Sequence, residues 1–175
     1  LSNPIGLAAG SDKDALHIPS HIKEGFGFVE VGTVTPFKQM GNDPPLTFTV
    51  EEGALLNRMG CPSEGMYKVR DNLIKFRKKH PSYVVGVSVG KSKEGTFKDF
   101  IAVPWCISAW ADYISLNVSS PNTPFLIDYQ KKEPLLRIID SIKEVDMPIF
   151  IKVSPDIDDA TMHQLAEVAL MRHIG

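Results

Sequence analysis

Short apolar runs rich in β-branched residues alternate along the chain with longer segments whose apolar residues recur at helical spacing. Ile5 to Ala9, Phe28 to Val31, Val84 to Val89, Tyr113 to Val118 and Ile149 to Val153 predict strands. Asp14 to Lys23, Glu64 to Lys79, Phe97 to Ala109, a segment entered at Pro134 and a last one behind Asp158 predict helices. The inward faces follow from the spacing: Ala15, Ile18 and Ile22; Met66, Val69, Leu73 and Phe76; Leu135, Ile138, Ile139 and Ile142; Met162, Leu165, Ala166 and Ala169. Ser63 and Asp158 are the expected N-caps, Gly25 a stop, and Pro134 suits a first turn. Pro19 and Pro104 fall inside predicted helices and should divide or shorten them. Leu46 to Val50 and Ala54 to Asn57 flank Glu51-Glu52-Gly53 as a β-hairpin after the second strand.

Regular alternation of strand and helix predicts a parallel sheet with right-handed crossovers. A closed (β/α)8 barrel takes roughly 250 residues, and this chain of 175 supplies about five β/α units. The fold class is therefore α/β: a partial (β/α)8 TIM barrel with a hairpin excursion. Residues 1–175 read as one partial domain, expected to be truncated at both ends. Leu1 stands where an initiator Met would, so a targeting or membrane-binding segment is expected ahead of it. No apolar run approaches the roughly 20 residues that cross a bilayer.

A net charge of −2 argues against general nucleic-acid binding, which needs a basic surplus. The cluster Lys75, Arg77, Lys78, Lys79 and His80 reads as the solvated C-terminal end of a helix. Cys61 and Cys106 lack disulfide-framework or zinc spacing, and His17, His21, His80, His163 and His173 form no ligand pair. No metal is expected, and a reducing compartment fits.

Chemistry concentrates where strands end. In Tyr113 to Pro124 a β-rich run passes abruptly into Asn117, Ser119, Ser120, Asn122 and Thr123, the place where parallel α/β proteins keep reactive groups. Taken by itself, the stretch reads equally as a strand followed by an ordinary turn. Gly86-Val-Ser88-Val-Gly90 matches the G-x-S-x-G elbow of serine hydrolases, but no helix starts directly behind it as that motif requires. Asn117-Val118-Ser119 is a formal glycosylation sequon at a strand end expected to be buried.

Five segments together carry a more specific pattern: Gly6-Leu-Ala-Ala-Gly-Ser-Asp-Lys13, Phe26-Gly-Phe-Val-Glu-Val-Gly-Thr-Val-Thr-Pro36, Asn57-Arg58, Asn117-Val-Ser-Ser-Pro-Asn-Thr123 and Ile151-Lys-Val-Ser-Pro-Asp156. In this order they resemble class 2 dihydroorotate dehydrogenase over essentially the whole chain. The resemblance implies a βα-barrel holding FMN over the strands' carboxyl ends, oxidation of dihydroorotate to orotate in pyrimidine synthesis, and a quinone as electron acceptor. It implies Ser120 as catalytic base, where class 1 relatives carry Cys, and Thr123 as its hydrogen-bonding helper. Lys13, Asn57, Asn117 and Asn122 match substrate contacts. Ala8, Ala9, Gly10, Lys13, Thr33, Ser88, Asn117 and Lys152 match positions near the flavin, with Lys152 toward its N1 and O2 region.

The chain departs from that pattern at Ser11 (usually Phe), at Ser88 (usually Asn), and at Met59-Gly60-Cys61-Pro62-Ser63, where Cys61 replaces an aromatic. It departs again at Pro124-Phe125-Leu126-Ile127, against the usual Gly-Leu-Arg after Thr123. The Gly-rich loops that hold the flavin phosphate in the family, and the helices that form the quinone tunnel, are not among the 175 residues. Membrane association is accordingly expected through segments outside this chain, at the mitochondrial inner membrane of a eukaryote or the cytoplasmic membrane of a bacterium. These 175 residues alone are expected not to turn over dihydroorotate. The alternative is a truncated or degenerate non-catalytic paralogue, acting as a binding or structural protein or without function.

Overall fold

The computed structural model describes residues 1–175, the side chain of Glu52 excepted. Five strands form one parallel sheet: β1 (Gly6–Leu7), β2 (Phe28–Val34), β5 (Val85–Val89), β6 (Tyr113–Asn117) and β7 (Ile149–Lys152), side by side in that order. Between β2 and β5 lies an antiparallel hairpin, β3 (Thr47–Thr49) and β4 (Leu55–Asn57), joined by a 3-10 turn. The helices α1 (Ile18–Lys23), α2 (Met66–Arg77), α3 (Asp99–Ile107), α4 (Lys132–Ile142) and α5 (Asp159–Arg172) complete five β/α units. The result is half of a (β/α)8 barrel, with the hairpin where the sequence pattern puts it.

Period-two alternation assigns the two faces of the sheet. Val29 and Val31, Val85 to Val89 at odd positions, Ile114 and Leu116 pair with one another across the strands and are fully buried beneath the helices. Burying side chains of this size contributes roughly 1.5–3 kcal/mol each, so this outer layer is the main stabilising element. The stripes read from α2 and α4 are buried in full. On α5, Leu165 and Val168 face inward while Met162 and Ala166 are exposed, because the helix meets the body along one narrow line.

Several boundaries differ from the sequence pattern, each for a local reason. α1 starts at Ile18, four residues later than the pattern predicts. Ala15 is left-handed (φ 58°), and the buried Asp12 carboxylate accepts the Leu16 and His17 N–H groups at 3.0 and 2.8 Å, fixing a separate turn. Pro19 then falls in the first helical turn, where it is tolerated. α2 starts after Gly65, not Ser63, whose hydroxyl instead takes the Thr35 and Gly65 N–H groups. α3 keeps Pro104 inside and is nine residues long. Its entry is already wound with i to i+3 bonds, Phe100 N to Phe97 O and Ile101 N to Lys98 O. Arg77 is not a solvated helix end: it donates to Trp110 O and Tyr83 O and pairs with Asp112. Asp158 caps α5 as expected, accepting Thr161 N at 2.7 Å.

The second strand runs past Val31, and this shapes the site. Val31 pairs with Val87 and Val34 with Val89, so Gly32 and Thr33 together oppose the single residue Ser88. That is a β-bulge, a device that re-aims a side chain. Here it turns Thr33 toward the inner face beside Ser88.

Candidate active site

At the carboxyl ends of the strands, the loops after β1, β4 and β6, with residues of β2, β4, β6 and β7 themselves, line a cleft of about 660 Å³. Of the residues singled out from the sequence, Ala9, Gly10, Lys13, Thr33, Asn57, Asn117, Ser120, Asn122 and Lys152 line it. Ala8, Ser88 and Thr123 do not. Ala8 is exposed beside the wall, Ser88 is fully buried beneath it, and Thr123 is buried behind the Ser120 loop. The fully buried, mid-strand position of Ser88 leaves it no access as a hydrolase nucleophile.

The floor is a buried chain of hydrogen bonds across three strands. Asn117 Nδ2 donates to Thr33 Oγ1 at 2.8 Å, and Thr33 Oγ1 shares a 3.1 Å bond with Ser88 Oγ. Asn117 Oδ1 accepts the Ser119 hydroxyl at 3.0 Å and the Ser119 N–H at 3.3 Å, so one amide fixes both the floor and the start of the loop. A buried, fully engaged amide of this kind has one orientation available. Its place in the floor also removes Asn117 from the surface that a glycan would need.

One wall is nearly without side chains. The loop after β1 is tied to β2 through Gly10 N to Gly32 O and Gly32 N to Asp12 O, at 2.9 and 3.0 Å. Gly10 has φ 115°, a region open to glycine, and a Cβ there would project into free space. Ala9, Gly10 and Gly32 therefore leave this wall with little side-chain bulk, which is room for a planar ring. The same cleft is lined by residues that can donate: Lys152, Lys13, Asn57 and Asn122. Lys13 Nζ gives one hydrogen to Gly10 O at 2.8 Å, which leaves two for a ligand. The lining carries these two cations and no carboxylate, so the cleft favours an anion.

The Ser120 loop is held from outside. Asn122 Nδ2 reaches Asn57 O at 3.4 Å, and Asn42 Nδ2 bridges Asn122 O and Arg58 O at 3.3 and 2.9 Å. Gln39 Nε2 donates to Cys61 O at 2.6 Å. Ser120 Oγ accepts the Asn122 N–H at 3.4 Å, an orientation that favours negative charge on that oxygen. Thr123 Oγ1 donates to Cys61 Sγ at 3.5 Å and not to Ser120.

Sequence reasoning passed over Asn42, Gln39, Lys91 and Glu30. Asn42 and Gln39 lie in a turn-rich loop whose composition gives no hint of a structural task. Lys91 is almost fully buried, bonded to Ser92 O and Lys93 O, and burial lowers its pKa. Glu30 did carry a signal: it is the one charge within the apolar strand from Phe28 to Val34. Among the described residues no group of three His, Cys, Asp or Glu is placed to hold a metal, and no helix is long and apolar enough to cross a membrane.

A parallel half-barrel with polar residues gathered at the carboxyl ends of its strands defines a TIM-barrel enzyme scaffold. A family model described as dihydroorotate dehydrogenase matches residues 1–174, and the chain belongs to that family. It is 42% identical over 171 residues to a dihydroorotate dehydrogenase (quinone) of Corynebacterium striatum, covering 95% of this chain and 47% of the relative. A protein of the same name from Akkermansia muciniphila is 40% identical over 186 residues, covering 96% and 52%. A crystal structure of Eimeria tenella DHODH in complex with ferulenol superposes with a TM-score of 0.92 at 32% identity, covering 98% of this chain and 54% of that one. The chain spans about half the length of the relatives it matches.

Proposed function

We propose that this chain forms the part of an FMN-dependent dehydrogenase that binds dihydroorotate and takes a proton from it, giving orotate in de novo pyrimidine (UMP) synthesis with a quinone as final acceptor. One observation carries the reading: a single anion-favouring cleft gathers Ser120, Lys13, Asn57, Asn117, Asn122 and Lys152 against a glycine and alanine wall. Ala9, Gly10, Thr33 and Lys152, which line this cleft, are the residues that would hold the flavin ring. When bound, FMN supplies the hydride acceptor.

The residues of the chain supply the rest. Lys13 and the amides of Asn57 and Asn122 orient a planar ring bearing carbonyls, N–H groups and a carboxylate. Ser120 Oγ takes the proton from one substrate carbon as the hydride departs from its neighbour. A free serine hydroxyl is a poor base, so its own proton must be passed on. By family resemblance that task falls to Thr123, whose hydroxyl donates to Cys61 Sγ in the present arrangement. Quinone and membrane contacts are assigned to segments outside these residues, at the mitochondrial inner or bacterial cytoplasmic membrane.

The second reading, a non-catalytic paralogue, is favoured by that same Thr123–Cys61 bond, since Cys61 stands where the family pattern has an aromatic. Isolation of the protein from its own cells at native length separates the two. Flavin absorbance that bleaches anaerobically on adding dihydroorotate supports the enzyme. A protein without flavin, unable to bind orotate, supports the paralogue.

A further inference from the structure

Two amides on the loop after β2, Gln39 and Asn42, have no part in the reading above, yet they reach the loops that carry its substrate contacts. Asn42 commits both hydrogens of its side chain. Nδ2 donates to Arg58 O at 2.9 Å, directly behind β4, and to Asn122 O at 3.3 Å, in the loop after β6. Its backbone N–H donates to Met59 O at 2.9 Å. Glycines admit this close approach: a Cβ on Gly60 would stand 2.7 Å from Asn42 Cγ and Oδ1, and one on Gly41 would overlap Met59 O. Both glycines also have positive φ, 66° and 80°.

The two loops depend on that amide unequally. Residues 58–63 are fastened by Gln39 as well, whose Nε2 donates to Cys61 O at 2.6 Å and Gly60 O at 3.3 Å. The Gln39 and Ser63 backbones exchange two further bonds at 2.9 and 3.0 Å, and Gln39 Oε1 accepts the Lys93 N–H at 3.1 Å. Among the described residues, the bond from Asn42 is the one that ties the loop after β2 to residues 119–125. It falls on the carbonyl of the Asn122–Thr123 peptide, and the planarity of that unit carries its direction to both residues. Asn122 in turn holds its N–H on Ser120 Oγ and its Nδ2 on Asn57 O, each at 3.4 Å. Anchoring one carbonyl thus sets the Asn122 side chain, the N–H aimed at Ser120 and the start of Thr123 together.

We propose that Asn42 is a positioning residue for the reaction: by holding the Asn122–Thr123 peptide to the loop after β4, it keeps Ser120, Asn122 and Asn57 in the arrangement that proton removal needs. The inference rests on reading Ser120 as the base and Asn57 and Asn122 as substrate contacts. Asn42 itself does not line the cleft, so its effect passes through the peptide it holds.

Asn42→Ala tests this in the flavin-loaded protein at native length. Asn42→Leu, which keeps the reach of the side chain without its donors, stands beside it in case the smaller residue does not fold. Anaerobic bleaching at saturating dihydroorotate is expected to slow about 10–10²-fold, the effect of misplacing a group by about 1 Å, and orotate to bind more weakly. Flavin content should stay that of the parent, because Asn42 makes no bond to the Ala9, Gly10 and Gly32 wall. A second readout needs no flavin: amide hydrogen exchange should quicken across residues 119–125 and stay unchanged at Ser63, which Gln39 still holds. A merely structural Asn42 would lower the unfolding midpoint and leave bleaching of the folded, flavin-loaded protein at the parent rate. That result overturns the inference, as does unchanged exchange across 119–125. Loss of flavin from both variants overturns it too, because the amide then serves the whole cleft. A parent that does not bleach overturns the reading of the site, and the inference with it.

Discussion

The two faces of the one sheet obey opposite rules. Outward, every strand residue is apolar, and Val29, Val31, Val87, Ile114 and Leu116 are sealed from water by the helices. Inward, the same strands present Glu30, Gly32, Gly86, Ser88, Tyr113, Ser115, Asn117 and Lys152. The outer face needs only volume and apolarity, which any of several side chains can provide. The inner face needs particular partners, because a buried polar group left unpaired costs more than its bond contributes. Stability and chemistry thus divide along the pleat, and substitutions one residue apart should act on different properties.

The largest expected break is on the outer face. Leu116→Ala should cost about 2–5 kcal/mol in denaturant unfolding, while leaving the neighbouring Asn117 network chemically complete. Thr33→Val keeps the shape and removes the oxygen shared by Asn117 and Ser88. It should cost about 1–3 kcal/mol and weaken FMN binding, measured by titration of flavin-free protein. For Glu30 the sign follows from its raised pKa. Its contribution to stability is fully present below the ordinary value of 4.5 and is lost as pH rises through the raised one. The parent should therefore lose ground to Glu30→Gln in unfolding midpoints followed from pH 4 to 7. Smallest is the Asp158 cap, exposed at the start of α5. Its hydrogen bonds with Thr161 lower the carboxyl pKa, so its small contribution is present at neutral pH and fades as pH falls through that lowered value. Asp158→Ala should lower Tm slightly at neutral pH and not in acid.

The outer face was legible in the sequence, since Val85, Val87 and Val89 or Leu135, Ile138, Ile139 and Ile142 announce burial by spacing alone. The gathering of the strand-end clusters was legible too, since nine of the residues singled out line one cleft. Local pattern could not give what depends on contacts between strands. The bulge that re-aims Thr33 shows only once β2 is laid against β5. The turn at Ala15 depends on Asp12 reaching forward to two backbone N–H groups. The pairing of Thr123 with Cys61 joins loops 62 residues apart, and nothing near either residue signals it.

The central claim is that Ser120 is the base in this cleft. Anaerobic stopped-flow mixing of dihydroorotate with the flavin-loaded protein at native length tests it, comparing the parent with Ser120→Ala. The account predicts bleaching about 10²–10⁴-fold slower in Ser120→Ala, with unfolding unchanged. Equal rates in the two proteins would contradict it.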